Sequence, residues 1–346
     1  MTVAVLAALA TGLLVQPAVI RLMLRAAVID VPGPRSSHAV PTPRGGGIAV
    51  LLALGAGLTL LGGALLVLVP VLLFAVIGLA EDIDGVPVGV RLGIQVFAGV
   101  SGGALLATAD YAPARLVRIG GQDGAVVTVL AVAVACWLVA YVNAFNFMDG
   151  VNGIAAAHAA VAGLALAAVS ASLHLPLLTG SALVVSVAAL SFLPWNAGRP
   201  RIFLGDVGSY GLGAGIGALV AYAVLHGVAV EAAVAPVALQ VADTGWTLAR
   251  RIRAGEPWHR AHRSHVYQRL TDAGWSHQRV TAVTAAAAAG LSLLGAVSLL
   301  GSPLARVLAD TAAIAALGLY LGGPKLLARR SAASGPVLVA IDSGDR

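Results

Sequence analysis

Eleven apolar runs divide this chain, and the sequence between them is too short to build a separate water-soluble domain. The runs fall near 3–20, 46–65, 67–80, 92–108, 125–142, 153–172, 176–193, 207–227, 230–248, 281–300 and 304–323. A helix needs about 20 apolar residues to cross the hydrocarbon of a bilayer. Only 10% of the 346 residues are charged and 59% are apolar. A soluble domain carries about 25% charged residues, so most of this surface must face lipid. The expected fold is all-α: a polytopic bundle of ten or eleven spans in one domain over residues 1–330. The run at 67–80 is short and needs neighbouring residues to reach across. No basic region precedes the first run, while Arg21 and Arg25 follow it, so it reads as a retained span rather than a cleaved leader. Cys136, the one cysteine, lies inside a run and is expected to be a packing residue.

The basic residues are sorted by side. Alternate loops at 21–45, 81–91, 143–152, 194–206 and 249–280, with the tail after 323, hold 18 of the 21 lysines and arginines; the opposite loops hold Arg115, Arg118 and Arg306. Positive loops stay in the cytoplasm. The N-terminus is therefore expected outside and the C-terminus inside, with residues 331–346 a flexible cytoplasmic tail. A net charge of +6 spread over short inter-helix loops suits orientation and anion binding, not nucleic acid.

The same loops carry the chemistry. DVPGPRSSHAVPTPRGGGIAV, from Asp30, is stiffened by four prolines and places Arg44 before three glycines whose backbone is open to a phosphate. A rigid connection is its plain alternative. GLAEDIDG holds Glu81, Asp82 and Asp84 within four residues. Like charges so close call for a cation, and oxygen donors suit Mg²⁺ or Mn²⁺. A solvated acidic loop is the alternative.

In YVNAFNFMDGVNG, Asn143, Asn146, Asp149 and Asn152 recur every third residue and are expected on one side of a helical turn. In FLPWNAGRPRIFLGDVGS, Asp206 precedes Gly208 and Ser209 at the start of a run, where an N-cap is the simple explanation. Asn196 and Phe203 lie just before it, Phe203 with a ring able to stack on a base. The 249–280 loop, long enough for a short helix or hairpin, reads RRIRAGEPWHRAHRSHVYQRL. Its His259, His262 and His265 alternate with Arg260 and Arg263. That mixture suits a diphosphate better than Zn²⁺, because arginine binds phosphate bidentately.

Taken together, these segments resemble the polyprenyl-phosphate N-acetylhexosamine-1-phosphate transferases, grouped as glycosyltransferase family 4. This superfamily includes WecA-type enzymes and the phospho-MurNAc-pentapeptide translocases. The resemblance spans roughly residues 30–270; NAFNFMDGVNG and FLGDVGS are its most specific strings, and PWHRAHRSHVYQRL is most like the WbpL-like, O-antigen-initiating branch. Glu81 stands where the family usually has aspartate, Arg91 where it often has lysine, and Ser264 interrupts the histidines.

The resemblance implies transfer of a HexNAc-1-phosphate from a UDP-sugar to undecaprenyl phosphate at the cytoplasmic face of a bacterial cell membrane, with Mg²⁺ or Mn²⁺. It implies Asp206 as metal ligand, with Asp149 and Asp82 alongside, and Glu81 and Asp82 near the lipid phosphate. Arg44, Arg91, His259, Arg260, His262, Arg263 and His265 would hold phosphates, and Asn143, Asn146, Asn196 and Phe203 would hold the nucleotide. A homodimer is compatible with it. Phospho-MurNAc-pentapeptide transfer is the variant within the superfamily. The competing classes are a secondary transporter, whose site would lie near the bilayer midplane, and a silent membrane scaffold, which has no need of these loop motifs.

Overall fold

A computed structural model describes residues 1–33, 37–62, 64–108, 123–257 and 262–333. The architecture is all-α. In order the helices are α1 (Thr2–Arg25), α2 (Gly47–Thr59), α3 (Leu65–Asp84), α4 (Val88–Thr108), α5 (Asp123–Phe147), α6 (Ile154–Ser172) and α7 (Pro176–Asn196). There follow α8 (Gly205–Leu225), α9 (Val230–Val234), α10 (Ala238–Arg253), α11 (Val266–Asp272), α12 (His277–Ala296) and α13 (Pro303–Ala333). One small antiparallel pair, β1 (Ile29–Asp30) with β2 (Thr42–Pro43), closes the first loop.

Nine of the described helices are long and apolar enough to cross a membrane. Helices suit that task because each backbone N–H and C=O is satisfied within the element, where lipid offers no partner.

Two of the eleven apolar runs differ from the expected continuous spans. Residues 46–65 yield only the 13-residue α2, which ends at a turn containing Gly62. Residues 230–248 are broken into α9, a 3₁₀ turn at Ala235–Val237 and α10. Pro236 has no N–H to give and its ring crowds the preceding turn, which favours a break at this point. Beyond the break, α10 buries Gln240, Asp243, Thr247 and Arg251, a polar face that lipid would not accept.

α8 is the axis of the bundle: 94% of its apolar window is buried. Its glycine- and alanine-rich sequence lets neighbours approach to backbone distance, the usual route to tight packing in lipid. A Cβ on Gly78 of α3 would run into the Asp206 carbonyl of α8, and one on Gly47 of α2 would strike Gly208. Those two contacts bring the end of α3 and the start of α2 to the start of α8. α13 is the outermost crossing, with 6% of its window buried. A second apolar cluster, formed by Met148, Leu239, Tyr267, Leu270, Val280 and Tyr320 among others, seats α11 beneath the main core.

Cys136 faces outward from α5, so it is a surface residue of the bundle and not the packing residue expected. The long loop does contain a short helix, α11. Helix α13 runs on through residues 331–333; the rest of the expected tail lies outside the described residues.

Candidate active site

Alternating crossings bring the ends of α3, α5 and α7 and the starts of α2 and α8 to one end of the bundle. There they enclose an open cavity of about 510 Å³. Arg44, Asp82, Asn146, Asp149, Asn196, Phe203 and Asp206 all line it, so four separate loops meet in one site.

Asp82 has an unexpected task. Its Oδ1 accepts the backbone N–H of Asp206 at 3.0 Å and its Oδ2 that of Val207 at 2.9 Å. The first N–H groups of a helix have no partner within it; here a carboxyl from α3 serves as the cap of α8. Arg44 braces the same point: Nη2 donates to the Asp82 carbonyl at 2.7 Å, and Nε lies 3.8 Å from its carboxyl.

α8 begins at Gly205 with Leu204 at its N-cap, so Asp206 sits inside the first turn and not at the cap expected of it. Its Oδ1 accepts Asn146 Nδ2 at 2.7 Å, and the same amide reaches Ser209 Oγ at 2.9 Å. Asp149 follows the end of α5 in a turn that leads to Gly153, whose φ is +81°. Its carboxyl makes no side-chain hydrogen bond among the described residues. Burial first, and then the Asp206 and Asp82 carboxylates, push it well above the ordinary aspartate range.

The expectation that Asn143, Asn146, Asp149 and Asn152 share one helical face is corrected, because α5 stops at Phe147. Asn143 points to α4, where Nδ2 donates to Gln95 Oε1 at 2.9 Å, and it does not line the cavity. Asn146 reaches the cavity from the last turn of α5, and Asp149 and Asn152 from the turn that follows it. The glycine run is corrected as well. Gly46 N–H goes to the Phe203 carbonyl at 2.9 Å and Gly47 N–H to that of Leu204 at 2.8 Å, so both are spent on loop-to-loop pairing.

Glu81 and Arg91 form a pair at 3.0 Å, with Glu81 Oε2 also accepting Val86 N–H at 2.8 Å. They stand beside the cavity, where α3 meets the apolar, outward-facing α4. Asp84 is exposed. Asn196 is a clamp: Oδ1 accepts Gly153 N–H at 2.6 Å and Nδ2 donates to the Ile202 carbonyl at 3.0 Å. Phe203 meets the His38 ring edge-on, with centroids 4.8 Å apart.

The histidine loop is set back from the cavity. His265 is buried with Nδ1 3.2 Å from Asp243 Oδ1. Arg263 pairs with Asp272 at 3.0 Å. His262 Nδ1 lies 3.0 Å from Ser264 Oγ. Burial, then His265 and Arg251, lower the His262 pKa to about 4. His259 and Arg260 lie outside the described residues.

The cavity also holds groups to which the sequence assigned no binding role: Asp30, His38, Asn152, Gln268 and His277. His38 Nε2 stands 3.3 Å from Asp30. His277 Nδ1 faces the backbone N–H of Asn152 at 3.4 Å. Asn152 and His38 belong to segments the sequence had already marked. His277 lies near the end of the marked 249–280 loop but outside its quoted motif, directly after Ser276, whose side chain caps α12.

The fold is that of a multi-pass membrane protein with an acid-lined cavity at one end of its helical bundle. The family model for glycosyl transferase family 4 matches residues 64–224. A decaprenyl-phosphate N-acetylglucosaminephosphotransferase of Mycobacterium tuberculosis is 30% identical over 323 residues, covering 82% of this chain and 77% of that protein. A probable undecaprenyl-phosphate N-acetylglucosaminyl 1-phosphate transferase of Bacillus subtilis is 27% identical over 284 residues, 80% of this chain and 78% of that protein. A phospho-N-acetylmuramoyl-pentapeptide-transferase of Moorella thermoacetica is 33% identical over 231 residues, 62% of this chain and 73% of that protein. The chain belongs to glycosyl transferase family 4, and it is a transferase.

Proposed function

We propose that the protein transfers a HexNAc-1-phosphate from a UDP-sugar to a polyprenyl phosphate, undecaprenyl or decaprenyl phosphate. A phosphate oxygen of the lipid attacks the β-phosphorus of the donor. The bond from that phosphorus to the bridging oxygen breaks, and UMP leaves with the electron pair. The product is polyprenyl-diphospho-sugar, the start of O-antigen, other lipopolysaccharide or cell-wall glycan assembly. The second pKa of a phosphate monoester is about 6, so the nucleophile is largely ionised at neutral pH and needs no dedicated base.

One observation carries the reading: Asp149 and Asp206 line the same cavity, and among the described residues neither forms an ion pair with a cationic side chain. No group of three or more His, Cys, Asp or Glu among the described residues forms a ready metal cage. Two carboxylates facing one cavity suit Mg²⁺, or Mn²⁺ in its place, because Mg²⁺ is commonly held by one or two carboxylates plus the phosphates of a substrate. Asp206 and Asp149 would hold it, and when bound it would neutralise the diphosphate. Asn146 orients Asp206. Asp82 fixes the start of α8, and Arg44 adds positive charge at the wall. Phe203 offers an aromatic surface to the uracil base.

Lipid phosphate would arrive past Glu81 and Arg91, where the outward face of α4 exposes Leu92, Val96, Phe97 and Val100. The excess of basic residues at this end supports a cytoplasmic site in a bacterial cell membrane. With Cys136 replaced, an impermeant thiol reagent should reach Ser302→Cys in intact cells and Asp84→Cys only after permeabilisation; the reverse pattern would put the site outside. A transporter is disfavoured because the cavity sits at an end of the bundle and not at its middle.

The function is tested with purified protein, undecaprenyl phosphate, Mg²⁺ and a panel of UDP-HexNAc donors including UDP-MurNAc-pentapeptide, with lipid products read by mass. One HexNAc donor should yield a diphospholipid. Absence of such a product from every donor rejects the proposal.

A further inference from the structure

The outermost helix, α13, makes a buried polar contact behind the site. Tyr320 of α13 is 9% exposed and donates its hydroxyl to Asp243 Oδ2 at 2.8 Å. An apolar helix does not need a hydroxyl to lie against apolar neighbours, and an unpaired one in hydrocarbon would be costly. The partner shows what the contact serves.

Asp243 is fully buried on α10. Besides Tyr320 it accepts Thr247 Oγ1 at 3.2 Å, the Val266 N–H at 3.0 Å and the Tyr267 N–H at 3.4 Å, and it faces His265 Nδ1 at 3.2 Å. One carboxyl thus ties α10, the start of α11 and α13 together. It fixes the backbone that carries Tyr267 and the ring of His265.

Tyr267 passes that order on. Its hydroxyl donates to the Phe147 carbonyl at 2.9 Å. It also lies against Gly150 so closely that a Cβ there would collide with the hydroxyl oxygen. Phe147 and Gly150 bracket Asp149. The hydroxyl therefore touches both sides of the turn that presents Asp149 to the cavity.

The geometry points to Asp243 and Tyr267 as positioning residues for Asp149, with Tyr320 making the C-terminal helix a working part of the active site. This rests on the assignment of Asp149 to the cation. A purely structural anchor for α13 would behave differently, and the protein supplies the comparison. At the opposite end of the bundle, Arg306 of α13 pairs with Glu231 of α9. Loss of that pair loosens the same helix without touching Asp243.

The test is Mn²⁺ binding by electron paramagnetic resonance, with kcat and donor KM, on the full-length protein. Tyr267→Phe and Tyr320→Phe are compared with Arg306→Gln and Asp149→Asn. Tyr267→Phe should weaken Mn²⁺ binding by about 10- to 100-fold, the usual effect of losing a residue that supports a metal ligand. It should lower kcat with little change in donor KM. Tyr320→Phe should act in the same direction and less strongly, and Arg306→Gln should match the unmodified protein. An equal loss in Arg306→Gln overturns the proposal, as does unchanged Mn²⁺ binding in both tyrosine variants while Asp149→Asn loses it. Full Mn²⁺ binding by Asp149→Asn would instead overturn the cation assignment, and this proposal with it.

Discussion

The carboxyl of Asp82 receives the backbone N–H of Asp206 at 3.0 Å, so one acid of the site holds the helix that presents another. The two are neighbours in space and equivalent in charge, yet their tasks differ. Asp82 uses both oxygens on the first turn of α8, while Asp206, inside that turn, faces the cavity.

Asp82→Ala removes the acceptor for two buried amides. Each stranded donor costs about 1–3 kcal/mol, so detergent-solubilised protein should unfold at clearly lower temperature, with turnover falling as Asp206 loses its register. Asp82→Asn keeps one acceptor and should be intermediate. Thermal unfolding and turnover, measured on both variants, check this order. An unshifted melting temperature for Asp82→Ala would refute the capping role.

The raised pKa of Asp149 sets a pH dependence. A divalent cation binds the ionised carboxylate, so binding must displace the proton that burial retains. Mn²⁺ affinity should climb as pH rises through that raised value, with proton release seen by calorimetry in two buffers of different ionisation enthalpy. Without the cation, the sign for stability is the opposite. The folded state holds this proton more tightly than the unfolded chain, so stability falls as pH rises above the ordinary aspartate range. Asp149→Asn should remove both trends. Persistence of the affinity trend in that variant would assign it to another group.

Arg91 is held by Glu81 at 3.0 Å beside the lipid-facing surface of α4. If Arg91 meets the lipid phosphate as proposed, Arg91→Gln removes a charge-assisted contact worth about 1.5–3 kcal/mol. It should raise KM for undecaprenyl phosphate at least about tenfold, equivalent to 1.4 kcal/mol, and leave donor KM near its original value. A rise confined to donor KM would move Arg91 to the nucleotide side.

These assignments show where sequence sufficed. Apolar runs of span length become helices because lipid leaves the backbone no other arrangement, so the crossings were legible from composition and length. The strings NAFNFMDG and FLGDVGS were legible too: Asn146, Asp149 and Asp206 are short polar groups beside apolar runs, and they meet in the cavity. The partnerships were hidden. Asp82 caps a helix 124 residues later in the chain, and no local pattern encodes that. The glycines before α2 looked open to phosphate, but Phe203 and Leu204 take their amides. The run at 230–248 looked like a span because hydropathy averages over Pro236 and the acid at 243. His277 entered the site only because α12 begins there.

The central claim is transfer of sugar together with its phosphate, and the nucleotide product tests it directly. Purified protein is incubated with undecaprenyl phosphate, Mg²⁺ and the donor it accepts, and released nucleotide is separated and counted against lipid product. UMP should form in equal amount with a polyprenyl-diphospho-sugar, and Asp206→Asn should lower that rate by at least about 100-fold, as expected when electrostatic support for the transition state is lost. Release of UDP in place of UMP, or undiminished UMP formation by Asp206→Asn, would contradict the account.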